Sequence, residues 1–487
     1  MGKRFISLVC AFSLIFAGLA GRCAYIALGR TYQISDSYNS YTLNIGKLTT
    51  NIYGRSGIKI NNNSKTYVAV IRPNEKCLSE LDKLFTPQEA ADITEELSKG
   101  YPVLKTVSKK VNTKYIKIYE KILNEESSTC SPYMISKKYG GLEQYVSEEI
   151  GSLSVNFSVD ALGRLLTGDD GTIVDDDYDS NDGIIISLDN QIQKIAEESA
   201  QNFKYGAVVI MDVDSSQVLA SVSKGNDYIN RALSPYAVGS VFKLIVAACA
   251  VENNVDVLYN CTSSIKVADT EFHCQNEHSH GIQTTKQALA NSCNCYFVNL
   301  ALKLGAARLY ETAKAFGFGD SFELYPNWNV SAGVFPDNDE LESLGQLALI
   351  GFGQGRLTDS PVHFGAAISC IANGGNYSSP TLDLQDVEEN QIISSESAEK
   401  LREYMRYVVT NGTGSAAEYD KNSAGKTATA QSGIYTNGVE VLNTWFAGFY
   451  PYNNPQYAIV VMRENGESGA GDCCPIFRSI VEKLDEI

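Results

Sequence analysis

A serine hydroxyl three residues ahead of a lysine, at the start of an apolar run, can become a nucleophile. Ser240 and Lys243 have this relation, and Leu244 to Val251 follow as a run of apolar side chains. The run predicts a buried helix with Ser240 in its first turn. Residues three apart share a helix face, so a neutral Lys243 can take the Ser240 proton. Free backbone N–H groups and the positive dipole end gather at the same point. Ser-x-x-Lys occurs six times, from Ser56, Ser221, Ser240, Ser263, Ser397 and Ser423, so most matches are chance. Only Ser240 has Gly239 before it and a long apolar run after it.

Two further groupings suit the same chemistry. Ser292 and Asn294 flank Cys293 between two helical patterns. A hydroxyl and an amide two residues apart can enter one cleft from a turn. There Ser292 can relay a proton, and Asn294 can hold Lys243 and a substrate amide. Ala424 to Ala430 reads as a strand of small residues around Lys426. Alternation puts Lys426 on one face and Thr427 and Thr429 on the other. A cation beside hydroxyls suits a substrate carboxylate, and a second cation near Lys243 would favour its neutral form. The N–H groups of Ser240 and Thr429 can form an oxyanion hole, which elsewhere lowers barriers by about 3–4 kcal/mol.

The elements that must hold these groups are legible. Ile184 to Leu188 reads as a strand, and Asp189 caps a helix from Asn190 to Gln201. Gly206 to Met211 and Val218 to Val222 form a hairpin. Trp445 to Phe449 and Tyr457 to Met462 form another, turned by Pro451 to Pro455. Phe477 to Leu484 closes the chain as an amphipathic helix. Strands at both ends with helices between predict an α+β domain, an antiparallel sheet flanked by helices, from about Gly183 to the C-terminus. Residues 31–182 are polar and lack catalytic groupings, which suits a supporting domain. Helical patterns are expected there at Pro87–Ser98 and Thr113–Asn124, and a strand at Tyr67–Ile71.

Composition narrows the function. The 487 residues are 44% hydrophobic and 20% charged, with a formal charge of −17. A large folded core is expected, and nucleic-acid binding is disfavoured because nothing offsets phosphate repulsion. Asp169-Asp170 and Asp175 to Asp182 concentrate the negative charge; a solvated linker or loop is the expectation, a calcium site the minor alternative. Lys3-Arg4 precede an apolar stretch from Phe5, interrupted at Arg22 and resumed to Leu28. With Arg22 snorkelling, residues 1–30 read as a cytoplasmic tail and single-pass membrane anchor, leaving the rest extracytoplasmic. A cleaved signal peptide is the rival. Of twelve cysteines, Cys261 and Cys274 bracket one short loop and are the best disulfide candidates. Free thiols remain open, as does a zinc cluster from Cys261, His273, Cys274, His278 and His280.

Gly425-Lys426-Thr427 could also end a phosphate-binding loop, but that loop needs glycine where Asp420 stands. A Ser-His-Asp hydrolase is disfavoured by only four histidines and no G-x-S-x-G elbow. The ordered set Ser240-x-x-Lys243, Ser292-x-Asn294 and Lys426-Thr427-Ala428 instead resembles the S-x-x-K, S-x-N and K-T-G elements of penicillin-binding proteins and serine β-lactamases. The likeness extends to Asn230-Arg231-Ala232-Leu233, Gly353-Gln354-Gly355-Arg356-Leu357, Asn373-Gly374-Gly375 with Pro380, Trp445 to Phe449, and Glu464-Asn465-Gly466. Together these look like class B penicillin-binding proteins, of the short penicillin-binding protein A type. Cys261, Cys274 and His280-Gly281 match a pattern some members carry. In the N-terminal half the likeness is weaker: Asn51 to Gly57 is a worn version of one family stretch, and Gly141 to Tyr145 fits a later one.

The resemblance implies a membrane-anchored D,D-transpeptidase that cross-links peptidoglycan stem peptides. It implies Ser240 as the residue acylated by substrate and by β-lactams, no cofactor, a mixed pedestal domain over 31–182, and a polytopic glycosyltransferase as partner. Two departures stand out: Ala428 where the family usually has Gly, and Val238 where it usually has Pro. The alternatives are a non-catalytic scaffold of the wall machinery, favoured by Ala428, and a β-lactamase, for which no well-placed Glu base is found. Ala428 is expected to crowd the nucleophile helix, so that Ala428→Gly speeds acylation severalfold.

Overall fold

A computed structural model describes residues 2–29, 39–123, 132–385 and 388–487. Gly2–Gly29 form one helix of 28 residues. Phe12, Leu14, Ile15, Phe16 and Leu19 on it are exposed. Among the described residues, no helix is long and apolar enough to cross a membrane.

The chain divides into two compact units that interleave in sequence. One comprises residues 1–47, 66–121 and 151–178; the other comprises 48–65, 122–150 and 179–487. The first is built on two three-stranded sheets. One orders Ser40–Thr49, Glu149–Ser158 and Thr172–Asp176; the other orders Val103–Val107, Ser64–Ile71 and Lys117–Leu123. The helix Pro87–Leu97 forms as expected, with a capping box between Thr86 and Glu89. Thr113–Asn124 does not. Lys117–Leu123 is a strand instead, because its β-branched and aromatic side chains fit a pleated surface beside Ser64–Ile71. The acidic stretch is loop only in part: Asp169, Asp170, Asp177, Asp179 and Asp182 lie in turns and irregular backbone, but a strand runs between them. Thr172–Asp176 pairs antiparallel with Ser152 to Asn156, leaving Asp175 and Asp176 exposed on an edge.

The second unit has a five-stranded antiparallel sheet, ordered Val218–Lys224, Gly206–Asp212, Tyr457–Glu464, Val439–Tyr450, Ala424–Thr436. Both sequence-predicted hairpins are in it, each longer than its apolar core because backbone pairing continues into polar residues. Asp189 caps Asn190–Ser199, its carboxylate accepting from Gln191 N and Ile192 N. The register fixes the two faces. Phe446, Val461, Val208 and Ile459 meet the helices Asn190–Ser199 and Cys474–Leu484 in one core layer. Trp445, Ala447, Met462 and Val209 point to the larger core shared with Lys243–Glu252 and Pro361–Ala372. Strand alternation has sorted the sheet's side chains into these layers. Two buried polar ties fasten the sheet locally. Trp445 Nε1 donates to Ala237 O at 3.0 Å, and Arg231, 2% exposed, is held by Asp227 and Glu464. This unit is the α+β arrangement expected from the sequence.

Candidate active site

Ser240 lies in a single 3-10 turn, Gly239–Phe242, that runs directly into the helix Lys243–Glu252. Gly239 has φ +56°. A β-carbon on it would come within 2.8 Å of the Ala430 methyl on the edge strand. Gly353, at φ +84°, lies against the Gly239 carbonyl with no room for a side chain. The tight approach of helix and strand is therefore made by Gly239 against Ala430, one side-chain position along from Ala428. Lys426, Ala428 and Ala430 share the face that looks toward this turn, by strand alternation.

The helix Lys243–Glu252 is buried over nearly its whole length, and Lys243 is 0% exposed. Its amine has three partners. Lys243 Nζ lies 2.7 Å from Asn294 Oδ1, 2.8 Å from Ser292 O and 3.3 Å from Ser292 Oγ. Burial pulls the ammonium down to about 8, against the opposing influence of Cys293, Cys274 and Cys295. Ser292 holds a left-handed conformation, φ +53°, between the helices Thr285–Ala290 and Asn294–Leu304. That conformation is uncommon for serine, and it aims one short turn at two lysines.

The second lysine is Lys426, also 0% exposed. Its Nζ donates to Thr427 O at 2.8 Å and meets Ser292 Oγ at 3.1 Å. Burial, with the charge of Lys243 second, holds Lys426 well below the usual lysine range. The expected electrostatic effect of one lysine on the other thus falls on Lys426. Two ammonium groups on one hydroxyl in a desolvated site are costly. A neutral amine keeps two N–H donors and a lone pair, so the Ser292 hydroxyl can donate to one lysine while accepting from the other.

Ser292 and Asn294 of this network border a cleft of about 380 Å³ that Ser240, Thr427, Ala428 and Thr429 also line. Lys426 is buried and is not among the lining residues; Thr427 and Thr429 are. Thr427 Oγ1 is 2.6 Å from Thr413 Oγ1. A carboxylate in the cleft would meet hydroxyls first, with Lys426 behind them.

The model of the penicillin-binding protein transpeptidase domain matches residues 206–482, more than half of the 487. The chain belongs to that family, in its class B. Relatives include the stage V sporulation protein D of Bacillus subtilis, 29% identical over 374 residues that cover 67% of this chain and 56% of that protein. Another is the peptidoglycan D,D-transpeptidase PbpA of Mycobacterium tuberculosis, 24% identical over 68% of this chain and 81% of its own. The chain thus spans little more than half of the first of these. A solved penicillin-binding protein 3 of Mycobacterium tuberculosis, complexed with aztreonam, shares the fold at TM-score 0.63 and 20% identity, over 92% of this chain and 97% of that one.

Several residues that border this cleft escaped sequence reasoning. Thr413 follows Gly412 in the connection after the helix Ser395–Asn411. Ser468 to Ala470 also border the cleft. Gly469 N donates to Thr429 Oγ1 at 3.4 Å, and its Cα packs so closely on Ala428 and Trp445 that a β-carbon would strike their carbonyls. Glycines in both segments, Gly412 and Gly469, were the available signal, but a glycine alone reports close approach without saying to what.

The cysteines differ from the expected set. Cys261 and Cys274 are free thiols with sulfurs 3.6 Å apart. Four ligand atoms, from Cys261, Cys274, His280 and Cys293, lie within 4.8 Å of one another. His273 and His278 are not in that group. Alternation along Thr270–His273 and beyond turns His273 outward to the cleft wall while Cys274 turns in. Cys293, the middle residue of the Ser292–Asn294 turn, takes the fourth place.

Proposed function

We propose that the protein is a serine D,D-transpeptidase of peptidoglycan, working through an acyl-enzyme on Ser240. The observation that carries this is the Ser292 hydroxyl set between two fully buried lysines beside a cleft that Ser240 lines. Such a relay can receive and return a proton at near-neutral pH without a histidine.

In the first half-reaction the Ser240 Oγ attacks the carbonyl of the penultimate D-alanine. Its proton passes to the lysine–serine network, and the C–N bond breaks as that network protonates the departing D-alanine amine. In the second half-reaction an amine of a neighbouring stem peptide loses its proton to the network and displaces Ser240 from the acyl group. The terminal carboxylate of the donor peptide sits on the hydroxyls of Thr427 and Thr429. The N–H groups of Ser240 and Thr429 take up the developing oxyanion. Asn294 holds Lys243 in place through its Oδ1. β-Lactams acylate Ser240 by opening of their ring along the same path.

Lys3 and Arg4 at the start of the helix Gly2–Gly29, and the exposed apolar side chains after them, support membrane attachment through residues 1–30, although the described helix is not apolar enough by itself to span. The unit built on residues 66–121 and 151–178 acts as pedestal, and the unit that holds 179–487, into which residues 48–65 also fold, as the catalytic part. A polytopic glycosyltransferase supplies the glycan strands.

Benzylpenicillin labelling tests the reading. Intact mass should rise by one drug adduct, mapped to the peptide containing Ser240 and lost in Ser240→Ala. An adduct on Ser221, Ser263 or Ser423 overturns the nucleophile. Rapid drug turnover without a lasting adduct means a β-lactamase, and no adduct means a scaffold.

A further inference from the structure

The thiol cluster beside the Ser292–Asn294 turn has the dimensions of a metal site. Cys261 Sγ is 3.6 Å from Cys274 Sγ and 3.5 Å from His280 Nδ1, and Cys274 Sγ is 3.6 Å from Cys293 Sγ. A tetrahedral zinc with bonds of ~2.3 Å to sulfur and ~2.1 Å to nitrogen separates sulfurs by ~3.8 Å and sulfur from nitrogen by ~3.6 Å. We infer that Cys261, Cys274, Cys293 and His280 Nδ1 bind one zinc ion as a closed structural site.

Four observations support this. The ligands come from separate stretches of the chain that meet here. Tyr259–Cys261 pairs with Gly281–Gln283, with Cys261 opposite Gly281, so one short ladder presents Cys261 and His280 together. A second ladder, Ser264–Val267 with Thr270–His273, delivers Cys274, whose N–H is fixed on Ser263 O at 2.8 Å. Two-stranded ladders this short are not stable alone, and a metal cross-link would hold them. Second, outer partners are present. Ser279 Oγ donates to Cys261 O at 2.7 Å, and Tyr296 N donates to Cys293 Sγ at 3.4 Å. Third, the three cysteines are buried and His280 is half-buried, which leaves a path for entry. Fourth, thiols make weak donors, so sulfur against sulfur does little for this pocket as metal-free thiols.

The site bears on the cleft through two bonds. Cys293 sits between Ser292 and Asn294, and Asn294 Nδ2 donates to His273 O at 3.0 Å, on the residue before Cys274. Zinc would therefore tie the strained turn at Ser292 to the hairpin that positions Asn294. Cys295, whose Sγ is 3.4 Å from Cys274 Sγ, is a neighbour and not a ligand.

The full-length chain, purified with reductant and without chelator, should contain one zinc per molecule by elemental analysis. Cys274→Ser and Cys293→Ser should lose it, while Cys295→Ser, His273→Ala and His278→Ala should keep it. Should the losing variants misfold, cobalt(II) exchanged into the unaltered chain decides: intense thiolate-to-metal absorption with tetrahedral ligand-field bands is expected. Metal-free chain, a mass two hydrogens low from a disulfide, or cobalt spectra without thiolate bands overturns the site. Zinc lost from Cys295→Ser but retained by Cys293→Ser overturns the ligand assignment. Zinc content is read without a labelling assay, so its failure is distinguishable from failure of the transpeptidase reading.

Discussion

Two polar clusters meet at the Ser292–Asn294 turn, and they are built differently. Around Ser292, nitrogen and oxygen atoms satisfy one another: Lys243 has three partners and Lys426 two. Around Cys274, three sulfurs and a nearby ring nitrogen crowd together with little hydrogen bonding to gain. The first cluster is closed by its own side chains and can move protons. The second suits a soft cation and can only hold things still. Cys293 belongs to the second cluster, and its two chain neighbours belong to the first. A proton relay that depends on sub-ångström placement thus shares its turn with the thiol cluster.

The two clusters differ most at Lys243. Lys243→Arg keeps charge but cannot give up its proton, and should slow benzylpenicillin acylation by about 10²–10⁴-fold with the cluster of thiols unchanged. Stopped-flow acylation rates check this; a loss below tenfold means the proton goes elsewhere. Gly239→Ala should be nearly as damaging, since φ is positive there and the added methyl meets Ala430. A strain of about 1–2 kcal/mol is expected, with at least tenfold slower acylation, read by thermal unfolding and by the same kinetics. Unchanged kinetics would show that the nucleophile turn does not need its contact with the strand.

The pH profile sharpens the first cluster. Lys243 is pulled down to about 8 from its usual 10.5, so its neutral form grows as pH rises through that value. Acylation should climb about tenfold per unit below pH 8 and level off above it, if a neutral Lys243 is the base. A rate that is flat or falls from pH 6 to pH 8 would assign the base to another group. The fluorescent-penicillin rate at a series of pH values gives the result.

The smallest effect is expected at Ala428. It is 3% exposed and pairs with Trp445, and the strand's close contact with the nucleophile turn lies at Ala430 instead. Removing the methyl costs about 1 kcal/mol of burial and backbone entropy. Acylation in Ala428→Gly should therefore change by only about twofold, a smaller effect than the severalfold gain expected from the family pattern alone. A larger gain would restore Ala428 as the limiting contact.

Much of this was readable from residue order. The apolar run after Lys243, the strands at both ends of the catalytic part and the cap at Asp189 are local, and local patterns survive folding. Lys117–Leu123 was misjudged because a mixed polar run fits helix or strand until a partner strand arrives. Thr413 and Ser468 to Ala470 stayed hidden because nothing in their own segments encodes the cleft wall they meet.

Residue order alone places a serine, two lysines and an asparagine as an acyl-transfer site needs them, and foretells a sheet and a buried helix to carry them. Folding set how they divide the work. It put Ser292 between two buried lysines, laid Lys426 behind Thr427 and Thr429, and moved the tight contact from Ala428 to Gly239. It also exchanged His273 and His278 for Cys293 in the thiol cluster. The physical reason is common to all four. Burial, alternation across a strand and the meeting of distant segments set which atoms face each other, and none of these is written in the spacing of residues along one segment.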